Sequence, residues 1–390
     1  MKTSRGLRAA AAALAGALAL AACGDPALDR DDYHTAQKVG DIEPVDPVDI
    51  RKLIHPENEY LGLAYDKTID SGIERMEKFG EKVGKPHNLL KYFEEVGGDF
   101  KAEENKRIWD AGALPFADVE PMEGTPKEYA DGEYDDIIRS YALEVKDSNI
   151  PLAYSWGHEM NGWWYPWGYC SRGGTHLNAG KPNEKPRAEK DIGIACKGDS
   201  KENKPEDFAA AWRHIHDIFT EVGAGNVIWV WSPNTAEAPD MPNLKDFYPG
   251  DEYVDWIGIS GYMNEPDPPT EKNPRIFQGV FGELLKKLRR FTEKPIVIAE
   301  TGSTATLRKA DDVMYLFAGI LFEKKTLPFL RKNDILGFVW FDVQKEEFGK
   351  VTDFRVESQP AALKKYRKIL QTPEYGDHLG FDPKQLIDDN

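Results

Sequence analysis

Eight short apolar runs, each closing on polar or aromatic residues, alternate with helix-period segments between about residues 58 and 371. The runs are Tyr60 to Ala64, Asn88 to Phe93, Gly112 to Ala117, Pro151 to Trp156, Asn226 to Ser232, Val254 to Ser260, Pro295 to Ala299 and Leu336 to Trp340. Unbroken apolar runs of this length are strands buried on both faces, and alternation with helices makes such strands parallel. Between two of them, Phe208, Trp212, Ile215, Phe219 and Val222 recur at helical steps and stop at Gly223, a C-terminal signal. The pattern predicts a (β/α)8 TIM barrel with extended strand-to-helix loops. A barrel of this kind takes about 250 residues. The excess falls in Tyr169 to Pro205 and Glu265 to Pro274, two loops on the face where barrel enzymes bind substrate. An open doubly wound sheet is disfavoured, since no Gly-x-Gly-x-x-Gly follows an early strand.

The N-terminal segment is of another kind. Residues 1–22 carry Lys2, Arg5 and Arg8 followed by the apolar run Ala9 to Ala22, too short to span a bilayer and readable as a secretory signal. Its end, Leu20-Ala21-Ala22-Cys23, resembles a bacterial lipobox, which implies a diacylglycerol on Cys23. Residues 23–55 then read as the lipidated Cys and an acidic, proline-containing tether, 56–372 as the barrel domain and 373–390 as a polar tail. An exported chain tied to the cell envelope on its extracytoplasmic face is expected, touching the membrane only through the lipid. Export favours disulfides, so Cys170 and Cys196, in one polar insertion, are expected to pair. With 50 basic against 67 acidic residues the net charge of −17 argues against nucleic acid as a partner.

Chemistry concentrates at strand ends. All ten Trp lie between Trp109 and Trp340, and four fall within Trp156 to Trp167. That span contains His158-Glu159-Met160-Asn161-Gly162 and then Trp163, Trp164 and Trp167: a carboxyl at the end of strand four beside flat apolar faces suited to sugar rings. A zinc-protease reading fails, because position 162 is Gly where a second His would be needed. At least one of the three Trp is expected to pack between loop and barrel. A second carboxyl, Glu300, closes strand seven in Ile298-Ala299-Glu300-Thr301-Gly302. Tyr262, after strand six, is placed to donate a hydrogen bond to it, and Trp340 after strand eight offers a further flat face.

These segments, with Val230-Trp231-Ser232-Pro233-Asn234 closing strand five, resemble glycoside hydrolase family 26, which contains β-mannanases, mixed-linkage β-glucanases and β-1,3-xylanases. The resemblance covers nearly all of 58–371. It implies Glu159 as acid/base, Glu300 as nucleophile, Tyr262 as the nucleophile's hydrogen-bond partner, His158 as the residue before the acid, and Trp164 and Trp340 as sugar-contacting aromatics; His158, Asn161, Trp163, Trp167 and Asn234 are taken as candidate substrate-binding residues beside them. Ser155 stands where many members have Arg, and Val119 and Phe354 where many have Trp, so the departures bear on which sugar is bound.

The expected activity is retaining, endo-acting hydrolysis of a β-linked polysaccharide, β-1,4-mannan first among the candidates, by a monomer needing no metal or organic cofactor. A β-glucanase, a β-1,3-xylanase or an exopolysaccharide hydrolase is the alternative on the same fold. A non-catalytic sugar-binding lipoprotein is the alternative from another class, and it has no need of two carboxyls on strands four and seven.

Overall fold

The first strand, β1 (Tyr60–Ala64), has all five residues buried, as a strand covered on both faces must. It begins a closed, all-parallel barrel in which β2 (Leu89–Glu95), β3 (Leu114–Glu120), β4 (Leu152–Trp156), β5 (Val227–Trp231), β6 (Trp256–Met263), β7 (Ile296–Ser303) and β8 (Ile335–Phe341) pair in sequence order. The pairing of β1 with β8, Tyr60 opposite Gly337 through Ala64 opposite Phe341, shuts the ring. The computed structural model describes residues 43–46, 48–169, 203–238, 241–263, 277–303, 334–347, 350–371 and 380–386. The sequence Cys23, Cys170 and Cys196, the signal segment and most of the tether lie outside these residues.

The predicted strands are all present. Several C-terminal ends run further than the apolar runs do: β2 reaches Glu95, β3 Glu120, β6 Met263 and β7 Ser303, while β1 and β4 end where predicted and β5 stops one residue short of Ser232. At the barrel mouth the inward-facing residues are polar, so hydropathy stops before the pairing does.

Helices sheathe the ring. Among the described residues they are α1 (Ile50–Ile54), α2 (Ile69–Val83), α3 (Ala102–Asp110), α4 (Pro126–Ala130), α5 (Asp135–Ser148), α6 (Pro205–Val222), α7 (Phe277–Leu288) and α8 (Pro360–Leu370). The start of α2 is set by Thr68, whose hydroxyl accepts from Ser71 N–H, and its end by Gly84 at φ 77°. In α6 the residues Phe208, Trp212, Ile215 and Phe219 are buried, and Trp212 and Phe219 set their rings edge-on to Trp229 of β5. Each such side chain contributes about 1.5–3 kcal/mol by leaving water. The connection from β5 to β6 departs from strict alternation: its described residues form two 3-10 turns, Leu244–Phe247 and Asp251–Tyr253.

The N-terminal ends of the strands are closed by the described segments that precede β1 and follow α8. Tyr60 donates its hydroxyl to Leu53 O, and Trp256 donates its indole N–H to Ile54 O. Val45 is already hydrogen-bonded to Ser148 O, so the segment read as tether through residue 55 is docked on the barrel from Val45 onward. From the segment after α8, Gly380 N–H donates to Glu59 O, and Asn88 donates to Phe381 O. That leaves the opposite face, where β9 (Gln344–Glu347) and β10 (Lys350–Asp353) form an antiparallel hairpin after β8, as the face able to open on a substrate.

Candidate active site

Glu159 follows β4 in a backbone conformation that side chains seldom adopt. Gly157 lies at φ 59° and Glu159 at φ 56°, a turn fixed by Glu159 N–H donating to Ser232 O of the next strand at 2.6 Å. Left-handed backbone at a non-glycine residue has a cost and persists where its surroundings impose it, commonly at functional sites. The turn brings the Glu159 carboxyl between two donors. Asn234 Nδ2 donates to Oε1 at 2.6 Å and Trp164 Nε1 to Oε2 at 2.7 Å. Asn161 acts one step back, accepting from Asn234 N–H at 2.8 Å and donating to Asn234 O at 2.7 Å.

Glu300, in β7, is equally enclosed and differently partnered. Tyr262 donates its hydroxyl to Oε1, as the sequence predicted, and Lys91 Nζ donates to Oε2 at 3.0 Å. Lys91, on β2, has no exposed surface and lies 2.6 Å from Asp118 Oδ2 of β3. The two carboxyls are thereby set apart in acidity. Burial, then the Glu300 charge, pushes Glu159 above the ordinary carboxyl range against the opposing pull of His158 and Asn234. Burial acts on Glu300 in the same direction but is outweighed by Lys91, His158, the Tyr262 hydrogen bond and Lys345, which hold it low.

His158 sits under the loop without exposed surface. Its Nε2 is 3.1 Å from the Tyr165 hydroxyl and its Nδ1 3.5 Å from Asp118 Oδ2. Beside it Glu120, at the end of β3, is pushed to about 7 by burial.

The aromatic loop divides into surface and support. Trp163, Trp164 and Tyr165 keep part of their area exposed, with Trp163 edge-on to Trp164 at 4.8 Å. Trp167 is buried, donates its indole N–H to His158 O at 2.7 Å and stacks on Tyr165 at 4.4 Å. It is the member of the trio that packs between loop and barrel, and it is not a sugar platform. Trp340 needs the same correction. It has no exposed surface, donates to Phe354 O at 2.9 Å and meets Tyr366 edge-on, so it braces the wall from behind. The strand-eight run puts an indole at this place, but hydropathy cannot tell which face of β8 it occupies. His158 and Asn161, also without exposed surface, stand one step back, hydrogen-bonded to Tyr165 and to Asn234.

Ser155 and Ser232 share a hydrogen bond at 3.1 Å, while Val119 and Phe354 are buried. Lys91, Asp118, Glu120 and Tyr165 complete the site and were not singled out from sequence. A lysine inside Leu89-Leu90-Lys91-Tyr92-Phe93 was the available signal, since a cation in a strand buried on both faces must be paired.

Residues 127–305 match the family model for glycosyl hydrolase family 26. The match covers rather less than half of the chain. A 300-residue stretch is 28% identical to Endoglucanase H of Acetivibrio thermocellus, covering 76% of this chain and 29% of that protein. Another of 176 residues is 26% identical to a mannan endo-1,4-β-mannosidase of Bacillus subtilis, covering 45% of this chain and 37% of that protein. The chain thus spans about a third of the length of these curated relatives. Among solved structures, the catalytic domain of the Bacillus sp. JAMB-750 GH26 endo-β-1,4-mannanase superposes with a TM-score of 0.53 at 14% identity, over 85% of this chain and 89% of that one. The GH26 β-mannanase BoMan26A of Bacteroides ovatus gives 0.51 at 15%, over 85% and 93%. At those identities the likeness is one of fold. The segment matched by that family model includes β4, Glu159, β6, Tyr262 and Glu300, while Lys91 and Asp118 lie before it.

Proposed function

We propose that this chain is a retaining, endo-acting glycoside hydrolase that cleaves a β-1,4-mannan. The observation that carries the reading is the pair of buried carboxyls whose surroundings drive their acidities apart, Glu159 upward and Glu300 downward. Such divergence is how a site keeps an acid and a nucleophile side by side at one pH. In the first step the Glu300 carboxylate forms a bond to the anomeric carbon as the bond to the leaving oxygen breaks, and the Glu159 proton goes to that oxygen. In the second, Glu159 takes a proton from water, whose oxygen displaces Glu300. Asn234 and Trp164 aim Glu159, and Tyr262 aims Glu300. The exposed parts of Trp163, Trp164 and Tyr165 offer apolar faces for the sugar rings.

The mannan assignment draws on relatives named as mannan endo-1,4-β-mannosidases. A glucan-cleaving reading draws on Endoglucanase H, which matches more of the chain. Attachment to the envelope through Cys23 is proposed from the lipobox-like end of the signal segment, and its test is detergent-dependent extraction that is lost in Cys23→Ala.

The test of activity is incubation of the full chain with β-mannan, mixed-linkage β-glucan, β-1,3-xylan and cellulose, with identification of the released oligosaccharides. Manno-oligosaccharides appearing first as the β anomer by proton NMR are expected. An initial α anomer would remove Glu300 from the nucleophile role. Release from glucan alone would move the substrate to the second reading, and binding without release would leave a sugar-binding protein.

A further inference from the structure

The lysine on β2 is the least expected charge in the barrel. Lys91 has no exposed surface, and the rings of Phe93 and Phe116 stand 5.1 and 5.3 Å from its Nζ. An ammonium taken out of water is costly unless paired, and one carboxylate suffices to pair it. Asp118, itself fully buried, is that carboxylate, with Oδ2 at 2.6 Å. Yet the same Nζ also donates to Glu300 Oε2 at 3.0 Å. One cation therefore faces two anions, and the second of them is the group whose charge the proposed reaction consumes.

We propose that Lys91 is a positioning residue acting through Glu300: shared between Asp118 and Glu300 in the free protein, it keeps Glu300 ionised and its Oε2 fixed, and it is left to Asp118 when Glu300 is esterified. The inference rests on the reading of Glu300 as nucleophile. Its charge balance follows the two steps. When the bond from Glu300 to the anomeric carbon forms and the bond to the leaving oxygen breaks, the carboxylate charge disappears into the ester. Lys91 and Asp118 then remain as a neutral pair inside the barrel. Hydrolysis of the ester returns the carboxylate to the same ammonium. No proton enters or leaves Lys91 at any point, and burial's pull against its charge is outweighed by Asp118 and Glu300.

Other titratable groups face Glu300 from each element around it. Glu159 and His158 come from the end of β4, Tyr262 from β6, Lys345 from β9, Asp66 from the loop after β1, and Asp118 and Glu120 from β3. Among the described residues Lys91 is the cation in hydrogen-bonding contact with the carboxylate. Asp118 also faces His158 Nδ1, so the row His158, Asp118, Lys91, Glu300 runs beneath the mouth from the neighbour of one carboxyl to the other.

The experiment titrates Glu300 directly, in the full chain carrying carboxyl-13C glutamate, with its NMR signal assigned by Glu300→Gln. Lys91→Met should raise the Glu300 midpoint by about one pH unit or more, a tenfold loss of ionised form on the acid side. Adding Asp118→Asn to Lys91→Met removes a like charge and should bring the midpoint part of the way back. Asp118→Asn alone gives the ammonium wholly to Glu300 and should lower it, a test that stands even where Lys91→Met does not fold. On whichever β-glycan the wild type cleaves, the acid limb of kcat/KM should move up in step with the midpoint in Lys91→Met. A folded Lys91→Met with an unmoved midpoint, or Asp118→Asn raising it, overturns the proposal. Failure of the hydrolase reading looks different: no glycan is cleaved, or azide does not restore turnover in Glu300→Ala, while the NMR midpoints still shift.

Discussion

Both oxygens of Glu159 already receive a hydrogen bond, from Asn234 and from Trp164, and both donors favour the anion. The acid role needs the neutral form, which burial and the Glu300 charge favour. A proton on Glu159 must take a remaining lone pair, so the balance is sensitive to either donor. Trp164→Phe keeps the ring but removes the N–H that points at Oε2. Glu159 should become a weaker acid, so the basic limb of kcat/KM is expected to move to higher pH. Turnover should fall by about tenfold through lost aim, less than the roughly 10²–10⁴-fold that acid catalysis as a whole contributes. A pH–rate profile on an aryl β-glycoside checks both, and an unmoved basic limb would mean that Trp164 does not set the acidity of Glu159.

At the scale of elements, closure of the ring depends on how near β8 can come to β1. Gly337 lies at φ 150°, and a Cβ placed there would meet Tyr60 O at 2.2 Å and Tyr60 N at 2.6 Å. Backbone atoms cannot yield as a side chain can, so Gly337→Ala should destabilise the protein by about 3 kcal/mol or more. Gly223, the C-cap of α6, is at φ 82° with nothing within 4 Å, so Gly223→Ala should cost only about 1 kcal/mol. Urea unfolding of the two variants measures the difference, and equal losses would show that strand closure is not tight at Gly337. The eight strands were legible because burial on both faces leaves an apolar run that a one-faced strand would not. Several of their C-terminal ends were not, since Glu120, Tyr262 and Thr301 are polar or amphipathic residues paired within strands. Glu159, Glu300 and Tyr262 could be read from their places beyond such runs. Lys91 shows in the sequence only as a cation inside an apolar run; what gives it meaning is Asp118 and Glu300, brought to it by two other strands at one end of the barrel. Trp340 was misread for a related reason: a strand's sequence tells that a residue is inside, and only the packing of Phe354 and Tyr366 tells that it is covered.

Across the whole molecule, several carboxyls are buried in ways that make the folded state hold protons longer than the unfolded chain does. Burial takes Glu94, on β2, from a carboxyl's ordinary 4.5 to about 7, even though Tyr141 donates a hydrogen bond to it. Glu120 rises as far for the same first reason, and Glu159 rises too. For a group raised in this way the folded state is at no disadvantage below the unfolded value. The disadvantage grows as pH climbs and is complete above the folded value, so stability falls between about pH 4.5 and about pH 7. His87 works against this. Burial lowers it from 6.5 to about 3, so it costs stability as pH drops through that window. Among the described residues the carboxyls raised by burial, these three with Asp66, Glu144, Asp255 and Asp342, outweigh one lowered imidazole as pH rises from about 5 to about 7, while below about 4.5 the imidazole and the depressed Glu300 take over. Thermal unfolding of the wild type should therefore give its highest midpoint near about pH 5. Glu94 alone is worth about 3 kcal/mol at full development, an upper figure for a group buried beside a tyrosine donor. Glu94→Gln keeps an acceptor for the Tyr141 hydroxyl and has no charge to bury, so it should gain on the wild type at pH 8 and gain little at pH 5. A variant whose advantage is the same at both values would show that Glu94 titrates alike in the folded and unfolded chain, and that the acid-side optimum has another source.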